Sequence, residues 1–191
     1  MDLTSPPTTA SFSRRRESMS PSIDAIRRED HSPSPQRVLV ATDASATSAG
    51  AERAGIAIAA RVGASLVFVS VIDPSRLRLP GGLFHTRVDQ VRSQREAALA
   101  RIVARAREQG VAAQFLIWEG EPGASVIDAA DAEGADLIVV GSHDRGPIGR
   151  RLLGSVSSYV LNHAPGDVII VRPGQGLGEV WPVRSDDSAT A

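Results

Sequence analysis

Five short runs of β-branched and apolar residues recur along this chain, each separated from the next by a longer stretch with helical spacing. They are RVLVAT (Arg37 to Thr42), SLVFVSVI (Ser65 to Ile72), VAAQFLIW (Val111 to Trp118), DLIVV (Asp136 to Val140) and DVIIV (Asp167 to Val171). Most are continuous rather than alternating, which is the pattern of strands covered on both faces. Strands of that kind, with helices between them, pack most economically as one parallel sheet joined by right-handed crossovers. The expected fold class is therefore α/β: a doubly wound, five-stranded parallel sheet with helices on both faces.

The intervening stretches support this. Ala49 to Val62 is an Ala-rich helix carrying Ile56 and Ile58 and closed by Gly63. Gly50 and Gly55 each weaken it by roughly 1 kcal/mol, a cost that close packing on the sheet or a ligand offsets. Residues 74–87, with Pro80-Gly81-Gly82 at the middle, read as an irregular loop. From Val88 to Gln109 a long helix places Val88, Val91, Ala98, Leu99, Ile102, Val103 and Ala106 on one face, with Arg and Glu on the other. A turn at Glu119 to Gly123 leads into a short helix from Ala124 to Glu133, and a last helix opens at Gly154-Ser155. Residues 1–36, rich in Ser, Thr, Pro and Arg, lack the apolar area that offsets ordering entropy, and are expected to be a disordered tail. Residues 37–173 form the expected domain, and 174–191 a C-terminal tail.

Composition narrows the function. The net charge of −1 provides no global field for nucleic acid, and 4% aromatic residues leave little to stack bases on. There is no cysteine, hence no disulfide, thiolate metal site or thiol nucleophile. All 21 cationic side chains are Arg, which removes a Walker-type or Schiff-base lysine. No apolar run approaches the roughly 18 residues of a membrane span. Arg14-Arg15-Arg16 is not followed by the apolar stretch of a twin-arginine signal, so the expected location is cytoplasmic.

The chemistry concentrates between Val139 and Leu161, VVGSHDRGPIGRRLLGSVSSYVL. A strand end, a loop rich in Gly, Ser and Arg, and a helix start are the parts of an anion site. Backbone N–H groups at the helix start are unpaired and lie at the positive end of its dipole. Glycine lets the backbone approach a phosphate without a Cβ in the way. The other polar loop at a strand end carries Asp43 and DASATS, in which Ser45, Thr47 or Ser48 serves as helix cap. In doubly wound sheets, ligands bind beyond the carboxyl ends of the strands where strand order reverses.

These residues resemble the universal stress protein family. Its ATP-binding signature, G-x2-G-x9-G-[ST], is matched here by Gly141, Asp144, Gly154 and Ser155, with Asp144 where the second glycine usually stands. The phrases VLVATD, VSVIDP and VIIVRP are also similar, and the likeness runs from about Arg37 to Pro173. It implies an adenine-nucleotide alpha-hydrolase-like sheet of order 3-2-1-4-5, with the switch point between the first and fourth strands. It also implies an adenine nucleotide ligand, ATP, a homodimer through the last strand, and a role in stress adaptation; the expected cation beside the ATP is Mg²⁺. By the resemblance, Asp43 lies on the adenine and ribose side and Val71 meets the adenine edge through its backbone. Gly141 is the ribose-side glycine, and Gly154 and Ser155 make the phosphate contacts. At Asp144 the carboxylate repels a triphosphate unless a divalent cation bridges them, while Arg145, Arg150 and Arg151 offset the charge.

Alternatives stay open. Ser155 is either a phosphate contact or the cap of the last helix. His143 lacks a recognisable nucleophile and orienter. His163 reads as a surface residue suited to a helix C-terminus. Asp128 and Asp131 read as a solvated face, and Trp118 and Trp181 as packing residues. The expected function is a non-catalytic, ATP-binding regulator. The competing readings are a dimeric interaction protein without nucleotide, because of Asp144, and a slow ATPase. The VIIV strand, as a sheet edge, needs a partner or cover.

Overall fold

The structure, a computed structural model, describes residues 34–77, 84–142, 153–172 and 182–183. Along the chain it forms β1 (Arg37–Ala41), α1 (Ala49–Val62), β2 (Ser65–Ile72), a 3-10 turn (Pro74–Leu77) and α2 (Phe84–Glu108). There follow β3 (Ala113–Glu119), α3 (Pro122–Glu133), β4 (Leu137–Gly141), α4 (Ser155–His163), β5 (Asp167–Val171) and β6 (Pro182–Val183). The strand order is β3-β2-β1-β4-β5-β6. The first five strands are parallel, in the expected order.

The continuous apolar runs are explained by two cores. In β1, Val38 and Val40 face one core with Leu66, Phe68 and Val139, beneath α1 and α2. Leu39 and Ala41 face the other with Val67, Val69, Ile138 and Val140, against α3 and α4. Val38, Leu39 and Val40 are all fully buried, so no residue of the strand centre is free to be polar. Gly55 earns its place on α1: a Cβ there would overlap Val40 Cγ2. The helix thus lies closer to β1 than any side chain permits.

Two helices begin earlier than expected. α2 begins at Phe84, four residues early, so part of the expected loop is helix; Pro80-Gly81-Gly82 lies outside the described residues. α3 begins at Pro122, because Glu121 caps it: its carboxylate accepts from the Ala124 N–H at 2.8 Å, and proline at the first helical position has no N–H to satisfy. The sheet also gains a sixth, antiparallel strand, with Val168 opposite Val183 and Ile169 opposite Pro182. That strand falls within the stretch expected to be a tail. Residues 1–33 and 184–191 lie outside the described residues. Among the described residues, no helix is long and apolar enough to cross a membrane.

Candidate functional site

Strand order reverses between β1 and β4, which pair directly through Val38–Leu137 to Ala41–Val140. Beyond their carboxyl ends lies a cavity of about 650 Å³, within the usual range for small-molecule sites of ~300–1,000 Å³. Asp43, Val71, Gly141, Gly154 and Ser155, five of the six site residues expected from sequence, all line it. The sixth, Asp144, lies outside the described residues, as do His143, Arg145, Arg150 and Arg151.

One wall is the loop from β1 to α1. The β ladder runs on for one residue, with Thr42 N–H donating to Val69 O at 2.9 Å. Asp43 then starts an Asx turn in which Oδ1 accepts from the Ser45 N–H at 3.0 Å and from the Ser48 hydroxyl. Ser48 is the cap residue of α1 by position, but its hydroxyl serves Asp43 and makes no capping bond. Burial pushes the Asp43 carboxyl up. Hydrogen bonds from Ser45 and Ser48, helped by the Arg95 charge, outweigh it and hold the group below the usual carboxylate value. Asp43 is therefore an anion at neutral pH, with its orientation fixed before any ligand arrives.

The opposite wall is β4 and the start of α4. Gly141 has no positive φ, and a Cβ built on it would meet Ala51 Cβ and Thr47 O at 3.9 Å, an ordinary contact. The fold therefore tolerates a side chain there, and what the glycine keeps open is the cavity. Gly154, not Ser155, is the N-cap of α4, in extended backbone and with no side-chain capping bond. The cap reading of Ser155 is thus corrected: it occupies the first helical position and is exposed. The helix start lies at the cavity, where Gly154, Ser155, Val156 and Ser157 contribute to the lining. α3, by contrast, satisfies its first turn with its own Glu121.

Sequence reasoning missed the third wall. The amino-terminal half of α2 places Val91 and Arg95 on the cavity, and the 3-10 turn adds Arg76 and Leu77. Arg95 Nη1 donates to the buried Ser70 hydroxyl at 2.6 Å. Arg76 pairs with Asp73 at 3.0 Å, and the Ser75 hydroxyl holds the Asp73 carboxyl below its ordinary value. Arg95 sits on the apolar stripe of α2, four residues after Val91 and four before Leu99, so its signal is a charge where helical spacing calls for an apolar residue.

The residues outside the cavity behave more simply. Asp128 and Asp131 are exposed, and no group of three metal-ligating side chains occurs among the described residues. His163 stacks on Tyr159 at 4.1 Å, with Nδ1 2.8 Å from Tyr159 O. Trp118 packs against the second core, and Trp181 lies outside the described residues.

Residues 35–172 match the model of the universal stress protein family. The chain belongs to that family. It is 30% identical over 139 residues to a universal stress protein of Methanocaldococcus jannaschii, spanning 72% of this chain and 82% of the relative. A universal stress protein solved in complex with cAMP superposes with a TM-score of 0.56 at 30% identity, over 73% of this chain and 98% of that one. A universal stress protein of Archaeoglobus fulgidus, solved in complex with dAMP, superposes with a TM-score of 0.52 at 25% identity, over 71% and 97%. Of this universal stress protein, the cavity at the switch point is the part the shared fold would present to a ligand.

Proposed function

We propose that this universal stress protein binds an adenine nucleotide, ATP with Mg²⁺, in the β1–β4 cleft and acts as a non-catalytic regulator in stress adaptation. The observation that carries this reading is the pairing of two features across one cavity. Gly141 and the uncapped start of α4 offer room and backbone donors for phosphate. Asp43, held as an anion on the other side, offers an acceptor for ribose hydroxyls. In this reading Val71 meets the base from the end of β2, Gly154 and Ser155 take the phosphates, and Asp144 bridges them through the cation. The cAMP and dAMP complexes of relatives support the choice of base. The absence of lysine supports a binding rather than a phosphoryl-transfer role. A cytoplasmic location and a homodimer through β5 complete the proposal.

Calorimetric titration with ATP, ADP and cAMP tests it, and a flat thermogram at millimolar concentration for all three ends it. A second reading rests on Asp144: a stress protein that works by protein contacts without nucleotide. Under that reading Asp144→Gly creates ATP binding that the parent lacks. Equal affinity in both proteins refutes it.

A further inference from the structure

Glu52 is a carboxylate where the helix pattern calls for a core residue. It shares the buried stripe of α1 with Ile56 and Ala59, four and seven positions on, and is only 3% exposed. A charge so placed is costly unless both oxygens are served. They are. Oε1 accepts from the Thr42 hydroxyl at 2.7 Å, and Oε2 pairs with Arg105 Nη2 at 3.3 Å. Thr42 is itself buried, and its Oγ1, having donated its proton to Glu52, accepts the Ala44 N–H at 2.9 Å. Ala44 is the one non-glycine residue with positive φ among the described residues, at +55°. Alanine adopts that conformation only when its surroundings impose it. Asp43 lies between the two residues that this chain of bonds fixes.

We propose that Glu52 is a positioning residue of the ligand cleft: through Thr42 it holds the left-handed turn at Ala44, and so sets where the Asp43 carboxylate stands. Arg105, its side chain 56% exposed on α2, neutralises Glu52 and occupies Oε2, which leaves Oε1 for Thr42. Glu52 does not line the cavity; its effect on a ligand passes through the backbone of the loop. The ligand half of this inference rests on the nucleotide reading above, and the loop half does not.

Two readouts separate the halves: amide hydrogen exchange at Ala44 in the free protein, and ATP titration in the presence of Mg²⁺. Thr42→Val removes the hydroxyl at nearly constant volume and is the primary variant. Glu52→Ala is the second, and folding of each is checked by circular dichroism. In both, exchange at Ala44 accelerates at least tenfold relative to the core amide of Val67, and the ATP dissociation constant rises at least tenfold. Thr42→Ser and Glu52→Gln keep the donor and an acceptor, and restore most of the Ala44 protection. Unchanged Ala44 exchange in folded Thr42→Val overturns the positioning role. Faster exchange with unchanged ATP affinity overturns the coupling to ligand. A parent protein that binds no ATP refutes the nucleotide reading alone, and the exchange data then still decide the role of Glu52.

Discussion

At the level of single residues, the cleft distinguishes groups that serve the fold from groups that serve a ligand. The proposed function puts Gly141 in the second group, and among the described residues the atoms nearest a Cβ built there are 3.9 Å away. Gly141→Ala should fold normally and gain up to about 1 kcal/mol of stability, because glycine in a strand is entropically unfavourable. It should nevertheless weaken ATP binding by about tenfold, or ~1.4 kcal/mol. Thermal unfolding and titration calorimetry, run together, check the two signs. Under the proposed function Asp43 serves both purposes. Its folded-state pKa lies below the ordinary carboxylate value of 3.8, so between the two values the unfolded chain binds more protons. Its ionisation therefore contributes stability that is fully present above 3.8 and is lost as pH falls through the lower folded value. Asp73 titrates in the same direction, so the useful quantity is a difference. The stability advantage of the parent over Asp43→Asn should shrink between pH 5 and pH 2, measured by denaturant unfolding; a constant difference counts against the Asx-turn account. Asp43, Gly141, Gly154 and Ser155 were legible because each sits at a strand end or helix start marked by the sequence itself. Glu52 was legible in principle: a carboxylate spaced four and seven residues before Ile56 and Ala59 is a charge on an apolar stripe. Its partner Thr42 was read simply as the last residue of a strand, and pairwise contact across a fold leaves no mark in one sequence.

At the level of elements, type was legible and termini were not. The five strands announced themselves because burial on both faces forces unbroken apolar runs. The early start of α2 had a trace in the i, i+4, i+7 spacing of Phe84, Val88 and Val91, masked by the turn signal of Pro80-Gly81-Gly82. Pro122-Gly123 reads as a turn until Glu121 is recognised as a cap. Gly123 then acquires a packing role. A Cβ on it would stand 2.7–2.9 Å from Tyr159 Cγ, Cβ and Cδ1, atoms near the root of that side chain. α3 and α4 therefore touch at a point that fixes where α4, and its start at the cavity, can lie. Gly55→Ala and Gly123→Ala should both destabilise, by about 1–3 kcal/mol, as overpacked sites do. They should differ in function. Gly55→Ala strains the centre of the β1 face, whereas Gly123→Ala displaces α4 and lowers nucleotide affinity as well. Chemical denaturation compared with calorimetry on the folded fraction separates them. Equal affinities in the two variants would show that α4 is held by something other than its contact with α3.

At the level of the whole molecule, the sequence pattern left one question that the structure turns into a competition. β5 is an apolar strand next to the sheet edge, and Asp167 to Val171 invites a partner. Among the described residues, β6 covers it at two positions, Val168 with Val183 and Ile169 with Pro182. Proline has no N–H, so Pro182 cannot donate to β5, and the pairing is intrinsically weak. A second copy of β5, by contrast, offers its whole length of five residues for antiparallel pairing. If the proposed dimer forms there, β6 must leave, and its few bonds, at ~1 kcal/mol each, count against association. Removing residues 174–191 should then tighten dimerisation by about fivefold for each bond of ~1 kcal/mol that no longer has to break. Sedimentation equilibrium on the full chain and the truncated chain measures this. Identical dissociation constants would place the dimer on another surface and leave β6 as a simple cover. Two monomers would refute the dimer itself. A proline in an edge strand is also how a sheet edge is blunted, so Pro182 bears on whether this protein meets its copies or is kept from them.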